Sequence, residues 1–317
     1  MTHASIFPGQ GSQFLGMGKD LADNFPCASQ VFKVVDEALH ENLSRIMWGD
    51  DTDLLNRTVN TQPALLAVSI ATLRVLETEV EFSMPRECAY VAGHSLGEYS
   101  ALVAAGALSL PEAARLLRIR GAAMQDAVPL GIGKMSAVLG LSMDEVRDIV
   151  QEVSQKDSVC EIANDNSPTQ VIISGHSAAV DRGAALAKDR GAQRVIPLPV
   201  SAPFHCSLLR PAQEIMREAL VQATLSTPCV PVVTNVTAQA VSDVEALRSG
   251  LVEQVTGTVH WRESVLWMSN AGVDTFFEIG AGAVLSGLVR RTVSGAKVSA
   301  IGSLESVRAF IESHPAH

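Results

Sequence analysis

The sequence feature that most constrains the fold is a β-prone run, Ala89–Ala92, that passes through Gly93-His94-Ser95-Leu96-Gly97 directly into a helical pattern. In this strand–turn–helix context, a G-x-S-x-G match predicts a sharp elbow that exposes a strained serine above a helix N-terminus. The glycines let the strand and the helix approach closely. The N–H of Leu96 can then donate to a negatively charged substrate oxygen. The alternative is a glycine-rich turn in which Ser95 only caps the helix.

Strand and helix patterns alternate over most of the 317 residues, which predicts an α/β fold. Between residues 131 and 200 the order is instead β-α-β-β-α-β, which predicts an inserted ferredoxin-like small domain. Its first helix is expected to be capped by Ser142, with Glu145 at the capping-box position. The large domain then comprises residues 1–130 and 201–317, and the small domain comprises residues 131–200.

Composition and charge argue against several functional classes. A formal net charge of −10, with no run of Lys and Arg, argues against a nucleic-acid-binding surface. The five cysteines are scattered without metal-ligand spacing, so we expect no metal site and a reducing compartment. The first residues lack the pattern of a signal peptide. The longest uncharged run, 219–242, is interrupted by two prolines, so it does not predict a membrane span. We expect a cytoplasmic enzyme with no membrane contact.

A serine nucleophile needs a base, and histidine has a suitable pKa. Among eight histidines, His205 lies in Ser201-Ala202-Pro203-Phe204-His205, where the small domain returns to the large one, and a site commonly forms at such a junction. His205 is therefore the candidate base; the alternative is a buried, hydrogen-bonded histidine at a helix start. His94 is expected to point away from the Ser95 hydroxyl. No acid ends a core strand between Ser95 and His205, so we expect an amide or a backbone carbonyl to orient the base.

Arg120 interrupts an apolar stripe on the helix that begins at Pro111. No acid shares this stripe, although a guanidinium on a buried face needs an anionic partner or carbonyls. One interpretation is a tertiary salt bridge, or an arginine that buries only its stem. The other is a bidentate grip on a substrate carboxylate. Spacing alone does not choose between them.

Seven motifs occur together in a fixed order, and as a set they resemble the bacterial malonyl-CoA:acyl carrier protein transacylases. The resemblance extends from about Ser5 to about Ala300. The motifs are Phe7–Gln13, Thr61–Ala64, Gly93–Glu98, Arg120–Gly121, Asn164–Pro168, Ser201–His205 and Phe277–Gly280.

The resemblance implies a hydrolase-like large domain, with helices on both faces of a parallel sheet, and the ferredoxin-like insertion. It implies that Ser95 is the nucleophile and His205 the base, and that the main-chain carbonyl of Gln254 orients this base. The backbone amides of Gln10 and Leu96 match the family's oxyanion hole.

For Arg120, the resemblance implies binding of the free malonyl carboxylate. Phe204 matches the malonyl-accepting pattern. Further expected substrate contacts are Gln62, Met124 and Asn164. Arg290 and Arg291 are candidates for contact with an acidic carrier protein, the alternative being an ordinary solvated helix end.

The implied activity is ping-pong transfer of a malonyl group from malonyl-CoA to the phosphopantetheine thiol of acyl carrier protein, for fatty acid synthesis. No bound cofactor is expected, and we expect a monomer. Alternatives are a serine esterase or thioesterase, a related acyltransferase of polyketide synthesis or malonate decarboxylation, and a non-catalytic binding module.

Overall fold

The computed structural model describes residues 2–200 and 202–314. Ser201 of the predicted junction motif, Met1 and residues 315–317 lie outside the described residues. The strands are β1 (Thr2–Phe7), β2 (Cys88–Gly93), β3 (Gly133–Leu139), β4 (Cys160–Ser167), β5 (Gln170–His176), β6 (Arg194–Pro197), β7 (Val232–Val233), β8 (Ala240–Val241), β9 (Val273–Ile279) and β10 (Lys297–Ile301).

The helices are α1 (Lys19–Asn24), α2 (Pro26–Leu39), α3 (Leu43–Met47), α4 (Thr52–Asn56), α5 (Thr58–Glu79), α6 (Met84–Glu87), α7 (Gly97–Ala104), α8 (Leu110–Asp126), α9 (Met143–Val153), α10 (Ser177–Asp189), α11 (Arg210–Gln222), α12 (Val244–Glu253), α13 (Trp261–Asn270), α14 (Val284–Thr292) and α15 (Leu304–Ser313). The longer helices match the helical patterns of the sequence, whereas the short helices α1, α3, α4 and α6 were not predicted.

The large sheet has the strand order β10-β9-β1-β2-β7-β8. The first five strands in this order run parallel, and the short edge strand β8 runs antiparallel to β7. The predicted parallel sheet is therefore confirmed, with an antiparallel edge strand that the sequence pattern did not indicate. Strands β1 and β2 lie at the centre, with Phe7 opposite Gly93.

Both faces of this sheet are covered by helices, because successive side chains of a strand point to opposite sides. On β1, Ala4 and Ile6 pack with residues of α13 and α14, whereas Phe7 packs in the cluster that includes α5 and α8. This layering confirms the predicted hydrolase-like arrangement. It also brings the carboxyl ends of the parallel strands to one edge, where ligands bind in open α/β sheets.

Helix α5 is long and apolar enough, by length and composition, to cross a membrane, but 89% of the tested segment is buried inside the protein. Burial of this kind is typical of the central helix of a large core. The helix begins at Thr58, before the Thr61–Ala64 motif. The backbone N–H groups of Asn60 and Thr61 both donate to the Arg57 carbonyl, so an additional turn forms before Pro63.

The second sheet is antiparallel and has the order β4-β5-β3-β6. With α9 and α10 between its strands in the chain, this is the order of a ferredoxin-like β-α-β-β-α-β unit. The predicted capping box is present, since the Ser142 hydroxyl accepts from the Glu145 N–H and the Glu145 carboxylate accepts from the Ser142 N–H.

A short segment of β4, in the small sheet, is bonded to the segment before α13 and to α13, which packs on the large sheet. Asp165 donates its N–H to the Val259 carbonyl, and Val259 donates to Ala163, both at 2.9 Å. The fully buried Asp165 carboxylate also accepts from Arg262 of α13, with Nε at 2.9 and 3.0 Å from its two oxygens. These bonds hold β4 against the edge of the large sheet where β2 ends.

Candidate active site

The predicted elbow lies between β2 and α7. Ser95 has a φ of 54°, in the left-handed region that L-residues rarely occupy. A Cβ atom at Gly97 would lie 2.3 Å from the Phe7 carbonyl oxygen, and one at Gly93 would lie 1.9 Å from the Gly97 carbonyl. Both positions therefore require glycine, for the steric reason that the sequence suggested.

The Ser95 hydroxyl contacts the predicted base, because its Oγ lies 2.8 Å from Nε2 of His205. Nδ1 of His205 lies 2.8 Å from the main-chain oxygen of Gln254, which can only accept. Nδ1 therefore carries the proton in the neutral ring, so the serine hydroxyl donates to Nε2. This is the geometry of a nucleophile activated by an adjacent base.

His205 is only 4% exposed, and it also has a strained backbone, with a φ of 56°. Burial, followed by the positive charge of Arg120, lowers the pKa of His205 to about 3. The imidazole is thus neutral at ordinary pH and can accept a proton from a thiol or hydroxyl. The sequence indicated the residue but not its backbone strain.

Arg120 lies beside the nucleophile and is 1% exposed. Its guanidinium donates to the Gln62 side-chain oxygen at 2.9 Å, to the Gln254 side-chain oxygen at 2.9 Å, and to the Ser95 Oγ at 3.1 Å. Among the residues that the structure describes, no carboxylate lies within salt-bridge distance of it, and its Nε–H has no partner. Spacing alone left a tertiary salt bridge open; the described residues contain no such bridge.

A buried acid, which sequence reasoning missed, lies behind the serine. Glu98 is 1% exposed, and its Oε2 accepts from the Asn235 backbone N–H at 2.9 Å and from Nε2 of Gln254 at 3.0 Å. Burial raises its pKa to about 7. A glutamate three residues after the nucleophile, on a helix with an apolar face, was the available signal.

A second missed residue is Asn235, which follows β7 and is fully buried. Its side chain accepts from the Ser95 N–H and donates to the Gly93 carbonyl, both at 2.7 Å. A polar residue at the carboxyl end of a predicted core strand was the signal that could have identified it.

A cavity of about 100 Å³ opens over the serine, and most of the predicted site residues meet there. Three apolar residues that line the cavity were not predicted. They are Met135 of β3 and, in the segment after β6, Leu198 and Val200. The predicted residues that line the cavity are Gln10, Gln62, Ser95, Leu96, Arg120, Met124, Asn164, Phe204 and His205.

The two predicted oxyanion donors face this cavity from different elements. Gln10 follows β1, and Leu96 precedes α7; the N–H of His94 donates to the Phe7 carbonyl and holds the two loops together. Within residues 2–200 and 202–314, neither the Gln10 N–H nor the Leu96 N–H donates a hydrogen bond to the protein. Free amides at such a place suit a negatively charged oxygen.

His94 makes a structural contact, since its Nε2 lies 2.8 Å from the Asn166 side-chain oxygen of β4. Its ring also forms part of the cavity wall. Arg290 and Arg291 are exposed at the end of α14 and do not line the cavity. Arg290 donates to the Val298 carbonyl, and Arg291 lies 3.4 Å from the side-chain oxygen of Gln170.

Residues 5–312 match the family model described as the acyl transferase domain. The chain is similar to the malonyl CoA-acyl carrier protein transacylase of Bacillus subtilis, with 42% identity over 98% of this chain and 96% of that protein. It is 40% identical to the protein of the same description from Escherichia coli K12, over 98% of both chains.

The chain is also similar to solved structures of malonyltransferases. The acyl-carrier-protein S-malonyltransferase of Bartonella henselae superimposes with a TM-score of 0.95 and 48% identity, covering 99% of each chain. A malonyl-transacylase solved in complex with its type II PKS acyl-carrier protein superimposes with a TM-score of 0.94 and 39% identity, over 99% of this chain and 100% of that one.

Proposed function

This chain belongs to the acyl transferase domain family, and we propose that it transfers a malonyl group from malonyl-CoA to the phosphopantetheine thiol of an acyl carrier protein, for fatty acid synthesis. The observation that carries the choice of acyl group is Arg120. A fully buried guanidinium 3.1 Å from the nucleophile, with no carboxylate partner among the described residues, is matched by an acyl chain that ends in a carboxylate.

The first half-reaction acylates the serine. His205 takes the Ser95 proton on Nε2 while Oγ attacks the thioester carbonyl carbon. The oxyanion accepts hydrogen bonds from the Gln10 and Leu96 amides. The carbon–sulfur bond then breaks, and the CoA sulfur takes the proton from the imidazolium. Arg120 holds the distal carboxylate throughout.

The second half-reaction reverses these roles. The carrier's thiol gives its proton to His205, and its sulfur attacks the ester carbonyl of malonyl-Ser95. The carbon–oxygen bond breaks, and the serine oxygen recovers the proton. Only substrates and no resident cofactor are needed for this cycle.

Transfer is favoured over hydrolysis by the partner of the base. In an esterase of the hydrolase type, a carboxylate orients the histidine and stabilises the imidazolium. Here Nδ1 of His205 donates to the neutral carbonyl of Gln254. A weaker base is sufficient for a thiol, which ionises more readily than water.

The remaining proposals concern the rest of the protein. We place the small domain at residues 131–200 and assign acyl carrier protein contact to Arg290 and Arg291. We further propose a monomer located in the cytoplasm, with no nucleic-acid or membrane partner.

The test is incubation with malonyl-CoA in the absence of acceptor, followed by mass spectrometry of the Ser95 peptide. We expect a stable malonyl ester on Ser95 and one equivalent of CoA released. Continuous release of CoA would indicate a hydrolase instead. Ser95→Ala should form no adduct, and a labelled adduct on that variant would move the nucleophile elsewhere.

A second candidate, service to polyketide synthesis, is favoured by the similarity to the malonyl-transacylase solved with a type II PKS acyl-carrier protein. Presenting the malonyl-enzyme with a fatty acid carrier and a polyketide carrier separates the two. We expect the higher kcat/KM with the fatty acid carrier.

A further inference from the structure

Asn235 makes more hydrogen bonds at the elbow than its position after a two-residue strand would suggest. Strand β7 pairs with β2 through Val232 and Val233, opposite Val91 and Ala92. Beyond this point the backbones separate, and the Asn235 side chain continues the pairing. Its Nδ2 donates to the Gly93 carbonyl at 2.7 Å, and its Oδ1 accepts from the Ser95 N–H at 2.7 Å.

These two bonds act on the peptide groups that flank the strained turn. Beyond the end of the ladder the Gly93 carbonyl is buried and the Ser95 N–H is partly buried, so each needs a partner. A single planar amide satisfies both, and it does so only while Ser95 keeps its left-handed conformation. A strained residue persists when its surroundings over-determine it.

The same residue is tied to the group that orients the base. Its backbone N–H donates to Glu98 Oε2 at 2.9 Å, and that oxygen also accepts from Gln254 Nε2 at 3.0 Å. Gln254 Nε2 lies 3.3 Å from the Asn235 Oδ1 as well. The elbow and the Gln254 carbonyl are therefore fixed to one buried network.

We propose that Asn235 is a positioning residue: its side-chain amide holds the nucleophile elbow in its strained form, and so aims both the Ser95 hydroxyl and the Leu96 N–H. Without the amide, Ser95 relaxes toward negative φ. This relaxation moves Oγ away from Nε2 of His205 and turns the Leu96 N–H away from the cavity. That the acyl group is malonyl rests on the proposed function. The role of Asn235 in positioning the elbow does not depend on which acyl group Ser95 carries.

The first test is Asn235→Leu, which keeps the side-chain size and removes both bonds. Its readout is phosphonylation of Ser95 by an alkyl fluorophosphonate, in which Oγ displaces fluoride. We expect the rate to fall about 100-fold, as for a misplaced reacting group. With malonyl-CoA, kcat should fall by a similar factor while KM changes less than about threefold. The fluorophosphonate contains no malonyl group. The comparison of Asn235→Leu with the wild type is therefore informative even if the wild type does not react with malonyl-CoA.

Thr234→Val is the matched control, since it removes one partly buried side-chain hydrogen bond next to Asn235, to Thr237 at 2.7 Å, without touching the elbow. We expect its phosphonylation rate to stay close to that of the wild type. Equal losses in Thr234→Val and Asn235→Leu would overturn the proposal, as would a normal rate in Asn235→Leu.

The second test is Asn235→Asp, whose ionised carboxylate can accept from the Ser95 N–H but cannot donate to the Gly93 carbonyl. Once protonated, the carboxyl group has both a donor and an acceptor, like the amide. Of the neighbouring groups, Glu98 has a pKa of about 7 and titrates over the pH range of the comparison in both proteins, whereas His205, with a pKa of about 3, stays neutral. Arg120 and Tyr99 are common to both proteins as well, so the variant rate is divided by the wild-type rate at each pH. We expect this ratio to rise about tenfold between about pH 8 and about pH 5.5, because burial beside Glu98 raises the pKa of a carboxyl group.

A ratio that does not change with pH would contradict a hydrogen-bonding role. Circular dichroism and thermal melting at each pH verify that the compared proteins are folded. Failure of both Asn235 variants to fold, while Thr234→Val folds, would assign Asn235 to core stability and overturn the positioning role.

Discussion

At the scale of single residues, the site depends on a buried cation that no carboxylate of the described residues contacts directly. Arg120 is buried among Gln62, Gln254 and Ser95, whose side chains supply oxygen dipoles rather than a full negative charge. Burial lowers its pKa, so the environment opposes the cation. An incoming carboxylate relieves this cost, whereas an acetyl group cannot.

Replacing Arg120 therefore tests acyl selectivity. Arg120→Ala should reduce kcat/KM for malonyl-CoA far more than for acetyl-CoA, by about 2–5 kcal/mol of transition-state free energy. Arg118→Ala is the matched control on the same helix, since Arg118 contacts Asn60 and Glu41 outside the cavity. Equal losses with both thioesters would remove Arg120 from substrate recognition.

The buried Glu98 makes a prediction about stability and pH. Its pKa is raised to about 7 in the folded protein, so between its unfolded value and pH 7 the folded state binds more protons. Its contribution to stability is therefore lost as the pH rises through about 7. Relative to the wild type, the free energy of unfolding of Glu98→Gln should increase with pH over this window, by on the order of 3 kcal/mol.

Urea denaturation at a series of pH values measures this difference. A constant difference for Glu98→Gln would mean that its carboxyl group titrates normally.

At the scale of elements, the site forms where the ends of four chain segments meet. The loops after β1 and β2 supply the amides and the nucleophile, the segment after β7 supplies Asn235, and β4 supplies Asn164 and Asn166. The first three converge because parallel strands end at the same edge of the sheet. Strand β4 belongs to the other sheet and reaches this edge through its bonds with Val259 and Arg262.

Breaking the ion pair between Asp165 and Arg262 tests this junction. Arg262→Met leaves the fully buried Asp165 carboxylate unpaired, and we expect a loss of about 3–5 kcal/mol in the free energy of unfolding. Because Asn164 lies on the same strand, next to Asp165, KM for malonyl-CoA should rise as well.

The control for this variant is Arg217→Met, which removes an exposed pair with Glu214 and should change stability by less than about 1 kcal/mol. A similar small change in Arg262→Met would show that the junction does not depend on this pair.

At the scale of the whole molecule, net charge works against a partner that is also acidic. The chain carries a formal charge of −10, so a basic local patch is needed to attract an acidic carrier protein. Arg290 and Arg291 are exposed on α14, and among the described residues neither forms a salt bridge.

Reversing both charges tests this assignment. In Arg290→Glu/Arg291→Glu, KM for the carrier protein should rise about tenfold at low salt, and this increase should shrink as salt is added. Loading of Ser95 from malonyl-CoA should not change. Arg308→Glu, on the exposed face of α15, is the control. Arg308→Glu changes the net charge by half as much as the double variant, so an effect of about half the size in Arg308→Glu would indicate a net-charge effect rather than a docking site.

The sequence by itself determined the elements and the reacting groups. Periodicity located both sheets and the longer helices, because local patterns of burial follow the repeat of each element, but it missed the short helices α1, α3, α4 and α6. The G-x-S-x-G elbow indicated Ser95, since only glycine permits the close approach of β2 and α7. The junction motif indicated His205, whose Nε2 lies 2.8 Å from the Ser95 Oγ.

Only the tertiary structure decided how these groups are held. The roles of Glu98, Asn235 and the strained backbone of His205 arise from contacts between residues far apart in the chain, which the local pattern around each residue does not report. The same holds for Arg120, whose stripe was compatible with a salt bridge until the fold placed amides and a hydroxyl around it. Sequence patterns report which face of an element is buried, whereas the partner of a buried polar group depends on which elements meet there.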